Sequence, residues 1–328
     1  MGQDGVTTLI TGASGFLGST LAASAPGRVL AVGRDPQRCA AMSDRLGIPV
    51  QVLDLAGPDA AAALIRMATA AGVNSIVHAA ALSVPWGKPV AYHRANVMGT
   101  QTVLRVADAL GISRVVHIST SAVSFRFADQ EEVAETAPLP PAVNPYAASK
   151  RAAEEMALLA GCVVLRPCGL YGAGDQAFMP RLLRAMRDGP LPHLRDGRAA
   201  ADLTHVDDVV ASIWAALAVS KGQGRVFNIS GGAALPIREV VDANAQHCGI
   251  RARWRRLPLA LVMAAARGME LSAAFTGREP RFTRYGVGFF AYRQTLDLSQ
   301  AKAVLGWQPK ISFDEGLART FKVGNPWQ

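Results

Sequence analysis

Short apolar runs alternate with longer segments of helical periodicity through the first half of the chain. The runs are rich in apolar residues throughout, which is typical of strands buried on both faces of a parallel sheet. Strands alternating with helices over short connections predict an α/β fold of the Rossmann type, a doubly wound parallel sheet. The predicted strands are residues 6–11, 28–32, 50–53, 75–79, 114–119 and 162–166, and the predicted helices are residues 16–25, 36–46, 59–71, 97–110 and 146–159.

The second half of the chain loses this regular alternation, and its predicted helices are interrupted by proline and glycine. A helix at 207–219 and a strand at 226–229 predict that the chain returns to the sheet near residues 202–230. We therefore expect a dinucleotide-binding domain, residues 1–168, and a smaller C-terminal substrate-binding lobe, residues 169–328, closing over the carboxyl edge of the sheet.

Composition excludes several classes of protein. Half of the 328 residues are hydrophobic and 18% are charged, so the chain can build a sizeable core and is not generally disordered. The four cysteines are scattered without zinc-site or disulfide-framework spacing, and we expect no metal site. The N-terminus has no basic region followed by a long apolar stretch, which argues against a secretory signal and for a cytoplasmic location.

The net charge is +9, from 34 Lys and Arg against 25 Asp and Glu. A nucleic-acid-binding surface favours clustered cations with interleaved aromatic residues, but only 6% of the residues are aromatic and most arginines are dispersed. We expect no nucleic-acid partner. An anionic cofactor or small substrate explains the charge better.

A glycine-rich loop follows the first predicted strand. Its glycines are spaced GxxGxxG between a strand and a helix, the context in which such a loop binds a pyrophosphate: one glycine permits the turn, one the approach of the phosphates, and one the packing of helix on strand. We assign to the cofactor site the loop residues Gly12, Ser14, Gly15, Phe16, Leu17 and Gly18.

The end of the second strand distinguishes NAD from NADP. A carboxylate there binds the ribose 2′-hydroxyl, whereas an arginine accepts a 2′-phosphate. This chain has Gly33 at that position, followed by Arg34, while Asp35 comes one residue late and is better interpreted as a helix cap before Pro36. NADP(H) is therefore favoured, and NAD(H) stays the alternative.

Two further strand ends fit the same cofactor. Asp54 and Leu55 end the third strand, where a carboxylate can accept a hydrogen bond from the adenine amino group. His78 ends the fourth strand, and we interpret it as a packed histidine. The small residues that follow allow the backbone to lie against the cofactor; these are Ala79, Ala80 and Ala81.

Tyr146 and Lys150 lie four residues apart on one face of a predicted helix. A tyrosine with an ordinary pKa near ~10 is a poor acid–base group at neutral pH, and we expect the neighbouring ammonium to lower that pKa. Ser119, Thr120 and Ser121 end the preceding strand, and a hydroxyl there can hold a carbonyl oxygen. The arrangement predicts hydride transfer at a carbonyl or alcohol carbon.

The motifs of the chain resemble those of the extended short-chain dehydrogenase/reductases over nearly its whole length. They are TGASGFLG at 11–18, HAAA at 78–81, NVMGT at 96–100, HISTS at 117–121, YAASK at 146–150, RPCGLYG at 166–172, DLTHVDD at 202–208, FNIS at 227–230 and LGWQP at 305–309. The resemblance implies that Tyr146 is the catalytic acid–base and that Lys150 assists it and holds the nicotinamide ribose. It aligns the family's Ser/Thr best with Thr120, with either neighbour as the alternative. It also places Pro167 at the cofactor, makes Asn96 structural, and implies a homodimer.

Within this family the chain is similar to the 3β-hydroxysteroid dehydrogenase-like branch, and there to bacterial olefin-biosynthesis reductases that reduce 2-alkyl-3-oxoalkanoic acids with NADPH. The residues that carry this likeness are Trp86-Gly87 and residues 92–96 and 294–297. Sugar-nucleotide epimerases usually have Tyr-Gly after the strand-end hydroxyls. Ser124-Phe125 stands here instead, which argues against a nucleotide-sugar substrate without excluding one.

The expected function is thus an NADP-dependent oxidoreductase acting on the ketone or secondary alcohol of a hydrophobic small molecule, a β-keto acid or a steroid-like compound. Two alternatives stay open: an NDP-sugar epimerase or dehydratase with tightly bound NAD, and a non-catalytic dinucleotide-sensing protein. We expect the substrate near Trp86, Tyr171, Phe178 and the segment 257–275.

Residues 251–275 have two interpretations. Four arginines at 251, 253, 255 and 256 precede an apolar run at 257–266. Ten residues are too few to span a bilayer, which needs about 20, and we expect Arg267 and Glu270 to interrupt any extension. The favoured interpretation is a helix lining a pocket for an apolar substrate. The alternative is a helix resting on a membrane surface, its arginines toward anionic lipid.

Overall fold

A computed structural model describes residues 5–84, 86–219 and 222–322 of the chain. Residues 1–4 and 323–328, the outer ends of the two predicted domains, lie outside the described residues. Residues 1–4 also begin the N-terminal segment in which we expect no secretory signal.

The strands are β1 (Thr7–Thr11), β2 (Arg28–Gly33), β3 (Val50–Val52), β4 (Ser75–His78), β5 (Val115–Ile118), β6 (Gln130–Val133), β7 (Val163–Pro167), β8 (Leu170–Tyr171), β9 (Leu191–His193), β10 (Ala200–Asp202), β11 (Thr204–His205), β12 (Val226–Ile229), β13 (Ala234–Pro236), β14 (Trp254–Arg256) and β15 (Arg293–Leu296). The α-helices are α1 (Phe16–Ala23), α2 (Pro36–Leu46), α3 (Ala60–Ala71), α4 (Pro89–Tyr92), α5 (Gly99–Ala109), α6 (Pro145–Leu159), α7 (Phe178–Asp188), α8 (Val206–Ala218), α9 (Ile237–His247), α10 (Leu259–Thr276), α11 (Arg284–Phe289) and α12 (Phe313–Phe321). Short π-helical turns span His93–Met98 and Ala301–Leu305, and 3₁₀ turns span Ser121–Ser124 and Arg195–Gly197.

Seven strands form one parallel sheet in the order β12-β7-β5-β4-β1-β2-β3. The chain winds outward from β1 in both directions, so the order reverses between β1 and β4. Ligands of open α/β sheets bind at the carboxyl ends of the strands beside such a reversal. The predicted Rossmann-type doubly wound fold is therefore confirmed.

The central strands are buried on both faces. Leu9 and Ile10 are successive residues of β1 and both are fully buried, but they join different clusters: Leu9 packs with α3 and α5 residues, and Ile10 with α1 and α8 residues. Because side chains alternate across a strand, burial of both positions requires helices on both faces. This explains why the strand sequences are apolar without alternation.

Within the described residues, the chain returns to the sheet twice. The predicted return near 202–230 consists of α8 and of β12, whose Phe227 pairs in register with Leu165 of β7. The second return, which the sequence analysis does not predict, brings Leu305 and Trp307 into the same core cluster. The indole nitrogen of Trp307 donates to the carbonyl oxygen of Asp208 at 3.1 Å.

A second sheet, of order β13-β10-β15-β6, takes three of its four strands from the second half of the chain. Strand β6 precedes residue 168, yet it pairs with β15 through Gln130 and Gln294. Its sequence QEEV has no apolar run, because the strand lies at the sheet edge and is only partly covered. The hydrophobic pattern therefore could not reveal it.

Candidate functional site

The loop between β1 and α1 needs glycine at two of its three positions. Gly12 has a φ of +74°, a left-handed backbone that favours glycine, and a Cβ on it would lie 2.7 Å from the backbone nitrogen of Ala80. A Cβ on Gly18 would collide with the carbonyl oxygen of Gly12, so this glycine lets α1 pack against the end of β1. Gly15 is the N-cap of α1, and the amides of such a first turn bind phosphates. The loop fits a dinucleotide.

The side chains of Ser14, Phe16 and Leu17 in this loop each contact a different part of the protein. The Ser14 hydroxyl hydrogen-bonds the Cys39 thiol, and Leu17 packs partly buried against the core. The Phe16 ring lies near Gly172: a Cβ placed on Gly172 would lie 3.4 Å from the Cζ atom of Phe16. Phe16 thus lies between the dinucleotide loop and the glycine-rich segment after β8.

The position at the end of β2 has no room for a side chain. A Cβ on Gly33 would lie 2.6 Å from the Ser14 oxygen and 2.5 Å from the Cys39 sulfur, so an acidic residue does not fit without displacing them. The next residue, Arg34, is exposed. Asp35 accepts a hydrogen bond from the backbone nitrogen of Arg38 at 2.9 Å, which confirms it as the cap of α2.

Asp54, after β3, already has a partner that the sequence analysis missed. Arg94 donates to its carboxylate at 2.7 Å, and the amide of Ala56 donates at 3.1 Å. Partial burial works to raise the pKa of Asp54, but these bonds, together with the charges of Arg94 and Arg34, outweigh it and the pKa is lowered. Leu55 turns its side chain into the core, so only its backbone can face a ligand.

The end of β4 has small residues around a packed histidine. The alanines at 79 and 80 are half-buried and the one at 81 is exposed. His78 is buried between the hydroxyls of Thr11 at 2.7 Å and Thr100 at 3.0 Å. Burial, with the Lys150 charge in addition, lowers the pKa of His78 to about 3. The interpretation of His78 as a packed residue is confirmed.

Tyr146 lies in the first turn of α6, opposite the end of β5. The side chain of Asn144 caps this helix by accepting from the amide of Ala147 at 2.8 Å. The Tyr146 hydroxyl forms a hydrogen bond with the Thr120 side chain. Burial raises the pKa of Tyr146, and the bond to Thr120 opposes this only in part.

Lys150 is buried one helical turn from Tyr146. Its ammonium donates to the carbonyl oxygen of Ile118 at 2.6 Å. Burial lowers the pKa of Lys150 to about 8, and the charge of Glu154 opposes that shift. The structure therefore does not show the expected lowering of the Tyr146 pKa by this ammonium: burial of the phenol is the larger effect and its pKa is raised.

The three hydroxyls after β5 point to three different partners. Ser119 donates to the Glu154 carboxylate at 2.5 Å. Ser121 hydrogen-bonds the thiol of Cys168, whose pKa burial raises to about 12. Of the three, it is the Thr120 side chain that pairs with Tyr146; this is the residue that the resemblance aligns best with the family's Ser/Thr.

A buried ion pair beneath Lys150 also escaped the sequence analysis. Glu154 and Arg166 are both nearly inaccessible to solvent, and their side chains form a salt bridge. Arg166 reaches further, to the carbonyl oxygen of Glu135 at 3.4 Å. The signal was present in the sequence: Glu154 stands four residues beyond Lys150, on the same helix face.

Two residues assigned from the family motifs lie close to this framework. Pro167 ends β7 in register with Ile229, on the carboxyl side of the sheet. Asn96 is buried in the π-helical turn, where its amide donates to Ser149 of α6 at 2.9 Å and accepts from the amide of Leu82 at 2.7 Å. Asn96 thus connects α6 to the segment after β4.

The aromatic residues expected around the substrate lie in different environments in the structure. Tyr171 is 1% exposed, and its ring packs against His205 and Phe313. The expectation that it faces the substrate is wrong, because core packing of the C-terminal lobe encloses it. Tyr285 of α11, which the sequence analysis missed, packs against Phe125 with ring centroids 5.0 Å apart.

Tyr285 lies within electrostatic reach of the site. Burial raises the pKa of its phenol, and the nearby Tyr146 and Cys168 raise it further.

The other two aromatic residues expected near the substrate are Trp86 and Phe178. Trp86 is half-buried, and Phe178 packs against Phe289 at 5.3 Å between ring centroids.

Helix α10 is longer than expected, since Arg267 and Glu270 do not interrupt it. Its 18 residues have a mean hydropathy of 1.3, and 11% of them are buried. By length and composition alone the helix could cross a membrane.

Comparison with known proteins identifies the family. The model of the NAD dependent epimerase/dehydratase family matches residues 8–230, and a model described as GDP-mannose 4,6 dehydratase matches residues 177–320. The structure of UDP-glucuronic acid 4-epimerase from Bacillus cereus, in complex with NAD, has a TM-score of 0.72 at 23% identity and covers 97% of this chain and 98% of its own. That likeness confirms the fold.

Several curated relatives are named as reductases or dehydrogenases. A 2-alkyl-3-oxoalkanoate reductase of Stenotrophomonas maltophilia is 30% identical over 95% of this chain and 97% of its own length. A 4-hydroxy-2-methyl-3-oxo-4-farnesyl-3,4-dihydroquinoline-1-oxide ketoreductase of Stigmatella aurantiaca is 32% identical over 97% and 96%. A decarboxylating sterol-4-alpha-carboxylate 3-dehydrogenase of Schizosaccharomyces pombe is 27% identical over 70% and 71%. The chain therefore belongs to the NAD-dependent epimerase/dehydratase family and is an oxidoreductase of the short-chain dehydrogenase/reductase type.

Proposed function

We propose that the protein reduces the ketone of an apolar substrate with NADPH, the phenol of Tyr146 giving the proton to the carbonyl oxygen. The observation that carries this proposal is the hydrogen bond between Tyr146 and Thr120, with the buried ammonium of Lys150 one turn away. Two hydroxyls that meet at one point can hold one carbonyl oxygen between them.

The raised pKa of Tyr146 supports the direction of reduction. A phenol that stays protonated at neutral pH can donate a proton, whereas a phenolate can only accept one. The dinucleotide, when bound, supplies the hydride that the ketone carbon takes up. The oxygen takes its proton from Tyr146, and the ketone becomes a secondary alcohol. Lys150 places a positive charge beside the developing alkoxide and phenolate.

NADP is the proposed cofactor because of the end of β2. The space beside Gly33 is closed by Ser14 and Cys39, so the carboxylate that binds a ribose 2′-hydroxyl has no place there. Arg34 is exposed beside it and supplies the charge that a 2′-phosphate requires.

The proposed substrate is an apolar carbonyl compound, such as a 2-alkyl-3-oxo acid or a sterol. Tyr285 packs its ring on Phe125, which follows β5, and lies within electrostatic reach of Tyr146. The 2-alkyl-3-oxoalkanoate reductase is a relative of nearly the whole chain, and the sterol dehydrogenase is a relative of most of it. The second candidate, a nucleotide-sugar epimerase or dehydratase, is favoured by the match to the GDP-mannose 4,6 dehydratase model over residues 177–320. A non-catalytic sensor would need neither the Tyr146–Thr120 pair nor the buried Lys150.

The substitution Tyr146→Phe tests the proposed proton donor. Turnover of a 2-alkyl-3-oxo acid, followed by loss of NADPH absorbance, should fall by about 10²–10⁴-fold, while NADPH binding measured by fluorescence is retained. Tyr92→Phe is the matched control, since the Tyr92 ring lies 6.3 Å from that of Tyr146 and its hydroxyl donates to the Val84 carbonyl at 2.6 Å. Wild-type turnover in Tyr146→Phe would remove the phenol from the mechanism.

A further inference from the structure

Helix α10 presents an apolar stripe to solvent along its length. Leu261, Leu271 and Phe275 are 61%, 56% and 91% exposed. Ala264 and Gly268, also exposed, fill the intervals, so the spacing of three and four residues keeps all five on one face. An exposed stripe of this kind marks an interaction surface.

The opposite face of α10 is fixed to the lobe. Ala266 is buried in a cluster with Leu194 and Val287 of neighbouring elements. The carboxylate of Glu270 turns inward and binds the guanidinium of Arg284 at 2.7 Å. Because one side of the helix is packed and bonded in this way, the helix cannot leave the fold to cross a bilayer. Its exposed side must therefore contact a partner while the helix stays in place, with its axis along the surface of that partner.

Cations stand at both ends of the stripe. Arg255 and Arg256 are exposed before the helix, and Arg278 and Arg281 after it. Glu279, between the latter two, is engaged by Arg181 at 3.5 Å. Two copies of this chain joined face to face by a two-fold axis would bring like charges together. Arg281 is already paired with Asp188 at 3.5 Å, and an anionic surface neutralises the other three.

We propose that the exposed face of α10 docks on an anionic phospholipid membrane, with the helix axis parallel to the surface and Phe275, Leu271 and Leu261 inserted among the acyl chains. Amphipathic helices that lie in the interface bind in this way, through buried apolar area and attraction of Arg to anionic headgroups. Docking of this face does not depend on the reaction proposed above.

The experiment is sedimentation of the full-length protein with phosphatidylcholine vesicles, with and without phosphatidylglycerol. The wild type should bind the anionic vesicles more tightly than the neutral ones. Phe275→Glu should weaken that binding about tenfold or more, and Arg278→Gln, which removes one positive charge, about fivefold. Leu159→Glu is the control, because Leu159 is equally exposed, at 90%, at the end of α6; its binding should match the wild type.

Thermal unfolding of each variant should stay unchanged, since none of these side chains is buried. Three results would overturn the proposal: no binding of the wild type to either vesicle, equal binding to both, or wild-type binding by Phe275→Glu. Sedimentation velocity without lipid tests the other possible occupant of this face, a second copy of the chain. A dimer that Phe275→Glu dissociates would make this face a contact between copies and overturn membrane docking.

Discussion

The two sides of the candidate site are built differently. On the sheet side, Thr120, Tyr146 and Lys150 are each held by a hydrogen bond to a defined partner, and a buried ion pair lies beneath them. On the lobe side, Tyr285 of α11 packs its ring on that of Phe125, which follows β5. Directed bonds fix where a proton is transferred, whereas apolar packing adapts to ligand shape. Changes on the sheet side should therefore act on turnover and stability, and changes on the lobe side on substrate affinity.

The strongest test of the sheet side is Glu154→Gln. It leaves the Arg166 guanidinium buried without its counter-charge, and breaking a buried pair costs about 3–5 kcal/mol. Urea unfolding should show a loss of that size. Glu155→Gln, in the next residue of α6, breaks the exposed pair with Arg151 and should cost less than about 1 kcal/mol. Equal losses in the two variants would refute the role assigned to burial.

The pH dependence of ketone reduction probes the same side. Burial lowers the pKa of Lys150 to about 8. The charged form assists the reaction, so kcat/KM should hold its value below that pH and decline above it, approaching tenfold per pH unit. Tyr146, whose pKa is raised above its ordinary 10.0, titrates too high to cause this decline. A rate that stays constant through pH 8 would show that the Lys150 charge is not needed.

The cofactor end of the sheet side is tested by Arg34→Ala. If Arg34 binds a 2′-phosphate, the KM for NADPH should rise about tenfold, the effect of one charged hydrogen bond, and the KM for NADH should change little. Arg45→Ala removes an exposed arginine from the other end of α2 and serves as the control. An equal rise for both cofactors would count against NADP selectivity.

The lobe side should respond more weakly. Tyr285→Phe keeps the ring that packs on Phe125 and removes only its hydroxyl, so KM for the ketone should change about threefold, with kcat unaffected. Tyr292→Phe, whose ring lies under Arg195 in the same lobe, should leave both constants unchanged. A large fall in kcat for Tyr285→Phe would mean that this phenol takes part in the reaction.

The two sides also differ in how far the sequence predicts them. Strands such as β1 and β7 are buried on both faces, so their apolar runs reveal them directly. The glycine loop and the spacing of Tyr146 and Lys150 are local patterns that carry their geometry within one turn. These features of the fold, and the meeting of Thr120 with Tyr146, agree with what the sequence predicts.

Features that depend on distant parts of the chain were not predictable in this way. Arg94 reaches Asp54 across 40 residues, and Tyr285 reaches the site from the far end of the lobe. Tyr171 is part of the family motif RPCGLYG, yet packing against Phe313 encloses its ring and keeps it from a substrate. The pKa of Tyr146 depends on burial, which spacing along a helix does not report. In each case a tertiary contact decides the outcome.

The central claim, net reduction of a ketone, is tested most directly by the stoichiometry of cofactor oxidation. Purified protein would be given NADPH with a 2-alkyl-3-oxo acid, and in a parallel reaction a UDP-sugar. The account predicts one NADPH consumed for each secondary alcohol formed from the keto acid, and no net oxidation with the sugar. Conversion of the UDP-sugar without net change in the cofactor, and no alcohol from the keto acid, would contradict it and identify an epimerase.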